Sequence, residues 1–281
     1  MLKFCKTDGG EPLLSPQTFK LMDSIIDSPL PNLELSFNSN MGISESSFNK
    51  FLEKAKTLLN TKSVKSLTIH TSLDSYGERA EYIRHGLDFK SFETRVSQFL
   101  EKLPDASLSV TCTFNIFSVT SFIGFLTWIL KIRHQYQSER RDIFLDIPHL
   151  RAPHHQSCKI LTPDYLEKMK EILFFMSEHN DESTGIRANE IEKVRRIYEW
   201  MKEEMRDELS KQAPSREVIK QRKNFYLFFV EHDKRRQRSL LKTFPEMKRF
   251  YTHCKKLNRR NVFGDFFNFL NRKRDKNQQD F

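Results

Sequence analysis

The sequence predicts an α/β fold in which a partial parallel (β/α) barrel is followed by a mostly helical C-terminal region. Over residues 1–152, strand-like segments alternate with helix-like segments at roughly 30–40 residues per unit, which is typical of βα units in a parallel sheet. From residue 153 onward, the apolar residues recur only at helical spacing. We therefore divide the chain into a barrel-type domain, residues 1–152, and a helical region, residues 153–281.

The first two βα units are marked by a capping signal and by a change of apolar period. Residues 2–7 form the first predicted strand, and Ser15 and Pro16 are typical of the start of the helix that follows it. Residues 32–38 alternate apolar and polar side chains, which predicts the second strand. The next helix has its apolar face at Phe48, Phe51, Leu52, Ala55, Leu58 and Leu59.

Three more strands follow in the same manner. Residues 64–74, 107–114 and 142–148 alternate as strands, and Pro148 ends the last one. The helices between them have apolar faces at Phe92, Val96, Phe99 and Leu103, and at Phe122, Ile123, Leu126 and Ile129. Residues 150–163 link this part to helices predicted at about 163–179, 187–210 and 215–230.

Composition predicts a cytoplasmic protein with a packed core. Hydrophobic residues make up 38% of the 281 residues, and 25 of them are phenylalanine. No signal-peptide layout is found at the start, and the most apolar stretch, residues 114–130, is too polar and too short to span a membrane. The four cysteines lie far apart without a CxxC, which fits a reducing compartment. The net charge of +10 permits an acidic partner without identifying one.

Polar residues follow the predicted strands where each strand ends, and this is where parallel βα folds bind ligands. They are Gly9, Gly10, Glu11 and Pro12 after the first strand, Asn38 and Asn40 after the second, and Ser72, Asp74 and Arg84 after the third. A glycine pair permits a positive φ and a close approach of the backbone to a ligand. Glu11 could then pair with an ammonium group. An ordinary βα turn is the alternative for the same four residues, and their position among other polar strand ends favours a ligand site.

Several segments resemble one superfamily in their order along the chain. GGEPLL (9–14) after a strand resembles the radical S-adenosylmethionine (radical SAM) superfamily, whose GGEP motif contacts the amino group of the cofactor's methionine. Further segments resemble its twitch-domain subgroup: FNSNMG (37–42), SLDSYGERAEYIRHGLDF (72–89), TFNIFSV (113–119), IPHLRAP (147–153) and FFVEHDKRRQRSLLKTFPEM (228–247). The resemblance covers about residues 2–250 and implies a barrel that lacks its first strand, because the GGEP strand is the second strand of that family.

The resemblance implies that S-adenosylmethionine is the cofactor and that it is cleaved reductively to a 5′-deoxyadenosyl radical. It assigns Gly9, Gly10, Glu11 and Pro12 to the amino group, and it places Asn38, Asn40, Ser72, Asp74 and Arg84 around the rest of the cofactor. Arginine suits a carboxylate. Simpler interpretations stay open, since Arg84 could pair with Glu78 or Glu81 on its helix, and Ser72 and Asn40 could be caps or turn formers.

The family reaction also needs a [4Fe–4S] cluster on three cysteines in a CxxxCxxC motif, and the 281 residues contain no such motif. We expect the cluster loop to lie upstream of Met1, so that this chain is a truncated and inactive portion of the enzyme. Cys112 fits core packing. His154, His155 and Cys158 fit a surface loop better than a metal site, and no metal site is predicted.

Partners and alternative functions follow from the same residues. The resemblance implies an electron donor such as flavodoxin or ferredoxin and leaves the substrate open between a peptide and a small molecule. One alternative is a non-catalytic binding or scaffold relative. Another is an RNA-binding protein, suggested by the basic and aromatic segment KRFYTHCKKLNRRNVF (248–263). We expect no nucleic-acid partner, because basic residues are spread along the whole chain without a known nucleic-acid-binding pattern.

Overall fold

Five parallel strands form one sheet in the order of the sequence, β1-β2-β3-β4-β5. In the computed structural model, which describes residues 3–7 and 10–259, the strands are β1 (Phe4–Thr7), β2 (Leu30–Asn38), β3 (Val64–Ser72), β4 (Ala106–Thr111) and β5 (Ile143–Asp146). Each strand pairs in parallel with the next, so every connection returns over the sheet through a helical segment. The predicted α/β class and the five strands are confirmed, with ends that differ by up to three residues.

The helices between the strands are α1 (Pro16–Asp27), α2 (Glu45–Asn60), α3 (Glu78–Ile83), α4 (Phe89–Lys102) and α5 (Ser118–Tyr136). After β5 the described chain is helical, as predicted, with α6 (Tyr165–Glu178), α7 (Ala188–Glu204), α8 (Arg206–Leu209), α9 (Arg216–Arg236), α10 (Leu240–Thr243) and a helix at 248–259. Short 3₁₀ turns lie at Pro12–Leu14, His154–Gln156, Cys158–Ile160 and Pro245–Met247.

The two faces of the sheet differ in polarity. One face packs against the helices through rows of buried apolar residues. One such row crosses four strands and consists of Phe37, Ile69, Leu108 and Ile143. The opposite face has serine and threonine in matching rows. This alternation of apolar and polar residues is unusual for a parallel sheet, because parallel strands that are covered on both faces usually have continuous apolar sequences. The helices therefore cover one face, and consecutive helices α1, α2, α4, α5, α6 and α7 contact one another in chain order.

An aromatic cluster around Tyr82 of α3 packs the helices that follow β5 against the sheet region. The Tyr82 hydroxyl donates a hydrogen bond of 2.7 Å to Oδ1 of Asp233 on α9. Its ring lies 5.8 Å from that of Phe117 and 5.7 Å from that of Phe244, between ring centroids. Nearby, Arg79 forms an ion pair of 2.9 Å with Glu246. The motif segments 72–89, 113–119 and 228–247 thus contact one another.

A buried ion pair also connects a helix before β5, α5, to a helix after it, α7. The guanidinium of Arg133 donates to both carboxylate oxygens of Glu190, at 3.0 and 2.6 Å, and both side chains are almost fully buried. The same guanidinium donates to the carbonyl oxygens of Ile143 and Gly185, at 3.0 and 2.6 Å. Each nitrogen of the guanidinium donates at least one hydrogen bond, and separating the two segments would leave a buried charge without its partner.

Residues on both sides of the predicted boundary at 152/153 belong to one apolar cluster, to which α5 contributes Phe125 and α6 contributes Met169. Of the residues that the structure describes, none lies in a helix long and apolar enough to cross a membrane.

Candidate functional site

A cavity of about 410 Å³ lies at the carboxyl ends of β2 and β3. Three residues predicted from the sequence line it together, namely Asn40, Ser72 and Arg84. Its wall is completed by residues 41–43, by residues 85–88 ahead of α4, and by Ser91, Phe92 and Arg95 of α4 itself. The size falls within the range of small-molecule sites. The structure thus brings the strand-end residues of two neighbouring βα units into one concave surface.

Arg84 is held at the cavity wall by Asp74. The Nε atom of Arg84 donates to Oδ2 of Asp74 at 2.8 Å, and the other carboxylate oxygen of Asp74 accepts from the backbone N–H of Thr113 at 2.9 Å. The Asp74 side chain is 9% exposed and that of Arg84 is 33% exposed. The pairing of Arg84 with Glu78 or Glu81 is not what the structure has. Within the described residues, Nε is the one guanidinium nitrogen of Arg84 that donates a hydrogen bond, which leaves both Nη groups for a ligand.

Glu11 joins the loop after β1 to the loop after β2. Its two carboxylate oxygens accept hydrogen bonds from the backbone N–H groups of Asn40 at 2.9 Å and Leu13 at 3.3 Å. Gly10 has a φ of +63°, in the left-handed region that favours glycine, and an added Cβ there would meet nothing within 4 Å. The carboxylate predicted to meet an ammonium group therefore also fixes the position of Asn40.

The segment after Asn38 forms a tight turn that shapes the cavity floor. Oδ1 of Asn40 accepts from the backbone N–H of Gly42 at 2.7 Å, as in an Asx turn, and Met41 has a positive φ of 59°. The interpretation of Asn40 as a turn former is thus correct, and the residue lines the cavity as well. An added Cβ at Gly42 would lie 2.8 Å from Oδ1 of Asn40, so a larger residue would displace this amide.

The amino-terminal end of α4 contributes residues that the sequence interpretation missed. Asp88 caps the helix by accepting from the backbone N–H of Ser91 at 2.9 Å, and this hydrogen bonding lowers the pKa of Asp88. Arg95 lies two turns further and donates to the carbonyl oxygen of Met41. Helical spacing offered a signal, because Ser91 follows Asp88 by three residues and Arg95 follows Ser91 by four. This spacing places all three on one face of the helix.

The other predicted residues lie around this cavity rather than in it. Pro12 is buried beneath the loop after β1, and Asn38 is exposed at the end of β2, in register with His70 of β3. Gly9 lies outside the described residues, as do residues 260–263 of the segment considered for RNA binding. In the described part of that segment, Phe250 and Cys254 are buried in the core, so Phe250 is not presented for stacking on a base.

The cysteines do not converge on a metal-binding site. Cys5 is half-buried on β1, whereas Cys112, Cys158 and Cys254 are fully buried. Burial raises the pKa of Cys158 and of Cys254 to about 12, and it raises that of Cys112 as well. Over residues 3–7 and 10–259, no three cysteine, histidine, aspartate or glutamate side chains lie where they could hold one metal ion. These residues therefore do not fit a [4Fe–4S] cluster.

Thiol labelling checks this placement. With iodoacetamide at pH 8 and native protein, we expect Cys5 to react first, because the other three thiols are buried and remain protonated. Mass spectrometry of the digested protein measures the modified fraction at each cysteine. In urea all four should react at similar rates, which is the control. Labelling of Cys158 or Cys254 in the native protein as fast as that of Cys5 would contradict the structure.

Comparison of the chain with protein-family models, with curated proteins and with solved structures found no match.

Proposed function

We propose that this chain binds S-adenosylmethionine in the cavity at the carboxyl ends of β2 and β3, as a protein of the radical SAM type. The Arg84–Asp74 pair is the observation that carries the proposal, because it presents a guanidinium at the wall of a ligand-sized cavity. Within this proposal the five-stranded sheet is part of a (β/α) barrel, with the helices on its outer face.

The residues at the cavity match the chemistry of the methionine part of the molecule. An arginine with two Nη groups facing a ligand is suited to a carboxylate, which it can bind through two parallel hydrogen bonds. The carboxylate of Glu11 suits an ammonium group and lies beside the cavity, since it accepts a hydrogen bond from the backbone N–H of Asn40. The hydroxyl of Ser72 and the side chain of Asn40 can bond neutral polar groups.

Asp74 acts as a positioning residue in this arrangement. Its second carboxylate oxygen is fixed by the backbone of Thr113 beyond β4, so Arg84 is oriented by a group that spans two strand ends. Asp74 also offsets the charge of Arg84 when no ligand is bound, which lowers the cost of burying the guanidinium. Bound S-adenosylmethionine would supply an activated sulfonium centre, and the described residues offer binding and orientation to it.

Calorimetric titration tests the proposal. We expect the wild-type chain to bind S-adenosylmethionine and the Arg84→Ala variant to bind it about tenfold more weakly or worse, because a hydrogen-bonded charge pair is lost. The decarboxylated analogue has no group for Arg84, so the same substitution should change its affinity by less than about twofold. Arg140→Ala is the matched control, since Arg140 is exposed and far from the cavity in the sheet order.

Two results would overturn the proposal. One is a wild-type chain that shows no binding of S-adenosylmethionine at millimolar concentration. The other is an Arg84→Ala variant that binds both compounds as the wild type does, which would place the carboxylate elsewhere. Circular dichroism of each variant keeps loss of binding apart from loss of folding.

A further inference from the structure

The face of the sheet turned away from the helices carries a ladder of hydroxyl groups. One row consists of Ser36 on β2, Thr68 on β3 and Ser107 on β4, which are in register. Two residues further along the strands, the next row contains His70 on β3 and Ser109 on β4. The last row holds Ser72, Thr111 and, on β5, Asp146. We call the serine and threonine residues of this surface, Ser36, Ser66, Thr68, Ser72, Ser107, Ser109 and Thr111, the hydroxyl face.

Much of the hydrogen-bonding capacity of this surface is unused within the described residues. The hydroxyls of Thr68, Ser72 and Ser109 make no hydrogen bond there, and Oγ of Ser36 is buried without a partner. Ser36 itself is only 2% exposed. A polar group in such a place normally has a partner, because an unsatisfied one is destabilising by about 1–3 kcal/mol. The half-buried hydroxyls of Thr68 and Ser72 are therefore open to a ligand, whereas Oγ of Ser36 is enclosed beside them.

The composition of the face indicates which chemistry would fit. On β3 and β4 this face carries no lysine, arginine, aspartate or glutamate, and the charged residues in register with it, Lys6, Glu34 and Asp146, lie on β1, β2 and β5. The middle of the face therefore offers hydroxyl groups rather than the charged groups that bind phosphates and carboxylates. Hydroxyl side chains both donate and accept, and here they repeat every ~6.6 Å along a strand and every ~4.8 Å across strands. An exposed aromatic ring, Phe144 at 43% exposure, lies in the same row as Ser109. The guanidinium of Arg187 lies 5.8 Å from the centroid of this ring, and the rest of the exposed ring can cover an apolar ring face.

We propose that the hydroxyl face binds a neutral small molecule rich in hydroxyl groups, a carbohydrate or a similar polyol. Because Ser72 belongs both to this face and to the cavity of Arg84, the ligand would lie next to that cavity. Its further assignment as the substrate rests on the proposed function. Binding itself does not depend on S-adenosylmethionine and can be measured separately.

Saturation-transfer NMR with the full chain tests this inference, with glucose, ribose and N-acetylglucosamine as probes. We expect saturable binding of at least one of the three sugars in the millimolar range. The double variant Thr68→Val with Ser109→Ala should bind at least about fivefold more weakly, since two hydrogen bonds are lost and the backbone is unchanged. Thr127→Val removes a hydroxyl from the exposed side of α5 and should bind as the wild type does.

The inference is overturned if none of the sugars binds, or if the double variant binds as tightly as the wild type while circular dichroism shows both to be folded. Stronger binding of a neutral tripeptide with blocked ends, lost in the same double variant, would also overturn it, because the face would then be a peptide site. Arg140→Ala, the exposed control of the calorimetric titration, should leave sugar binding unchanged. A chain that binds sugar but no S-adenosylmethionine would refute the proposed function and support this inference.

Discussion

Replacing Glu190 with alanine is expected to lower the free energy of unfolding by about 3–5 kcal/mol. The substitution leaves the Arg133 guanidinium buried, with only the carbonyl oxygens of Ile143 and Gly185 as partners. It also removes the acceptor of the Arg187 backbone N–H at the start of α7, 2.9 Å away. Urea unfolding followed by circular dichroism measures the change, provided that the slope of the transition is unaltered.

Two further variants distinguish the effect of the unpaired buried charge from the effect of losing the side chain. Glu192→Ala, on the exposed side of the same helix, should cost less than about 1 kcal/mol, because its ion pairs with Arg195 and Arg196 are exposed. The double variant Arg133→Met with Glu190→Leu removes both charges and should be more stable than Glu190→Ala alone. If Glu190→Ala unfolds within 1 kcal/mol of the wild type, Arg133 and Glu190 are not the buried pair described above.

Tyr82→Ala is expected to have a similar effect, about 3–5 kcal/mol, because it empties the centre of the aromatic cluster between α3, α9 and residue 244. Burial, followed by the hydrogen bond to Asp233, raises the pKa of Tyr82 above its ordinary value. The phenol therefore stays protonated at neutral pH and donates to that carboxylate. Chemical denaturation again measures the loss.

Tyr82→Phe keeps the ring and removes only the hydrogen bond to Asp233, so about 1–2 kcal/mol should be lost. Tyr76→Ala is the matched control, since Tyr76 is exposed and its ring contacts that of Phe89, outside the cluster around Tyr82. Its effect should stay near 1 kcal/mol. Equal effects of Tyr82→Ala and Tyr82→Phe would show that the hydroxyl, and not the packing of the ring, joins these segments.

The strands could be predicted because one face of the sheet is apolar and the other is not. Leu33, Leu35 and Phe37 alternate with polar residues along β2, which sets the period and the buried side together. The helix α3, Glu78–Ile83, was considered only for the pairing of Arg84 with Glu78 or Glu81. Its bounds were not predicted, because six residues complete fewer than two turns and carry no apolar period. Strand ends were overestimated where alternation continues into a loop, as after Ser72 of β3.

The candidate site could be predicted in part, since the carboxyl ends of parallel strands meet at one edge. Asn40, Ser72 and Arg84 were predicted and share one cavity. The partner of Arg84 was not predicted, because spacing along a helix indicates only residues three or four apart, and Asp74 precedes the helix by a loop. Arg95 was missed for the same kind of reason, as its position depends on how α4 packs beside the turn at Met41.

Hydrogen exchange with and without S-adenosylmethionine tests the central claim most directly, namely that this cavity is the binding site. Addition of the compound should slow amide exchange in residues 40–43 and 84–88, which line the cavity, and should leave α7 unchanged. Protection confined to other segments, or no protection at a concentration that saturates calorimetric binding, would contradict the assignment of S-adenosylmethionine to the cavity of Arg84.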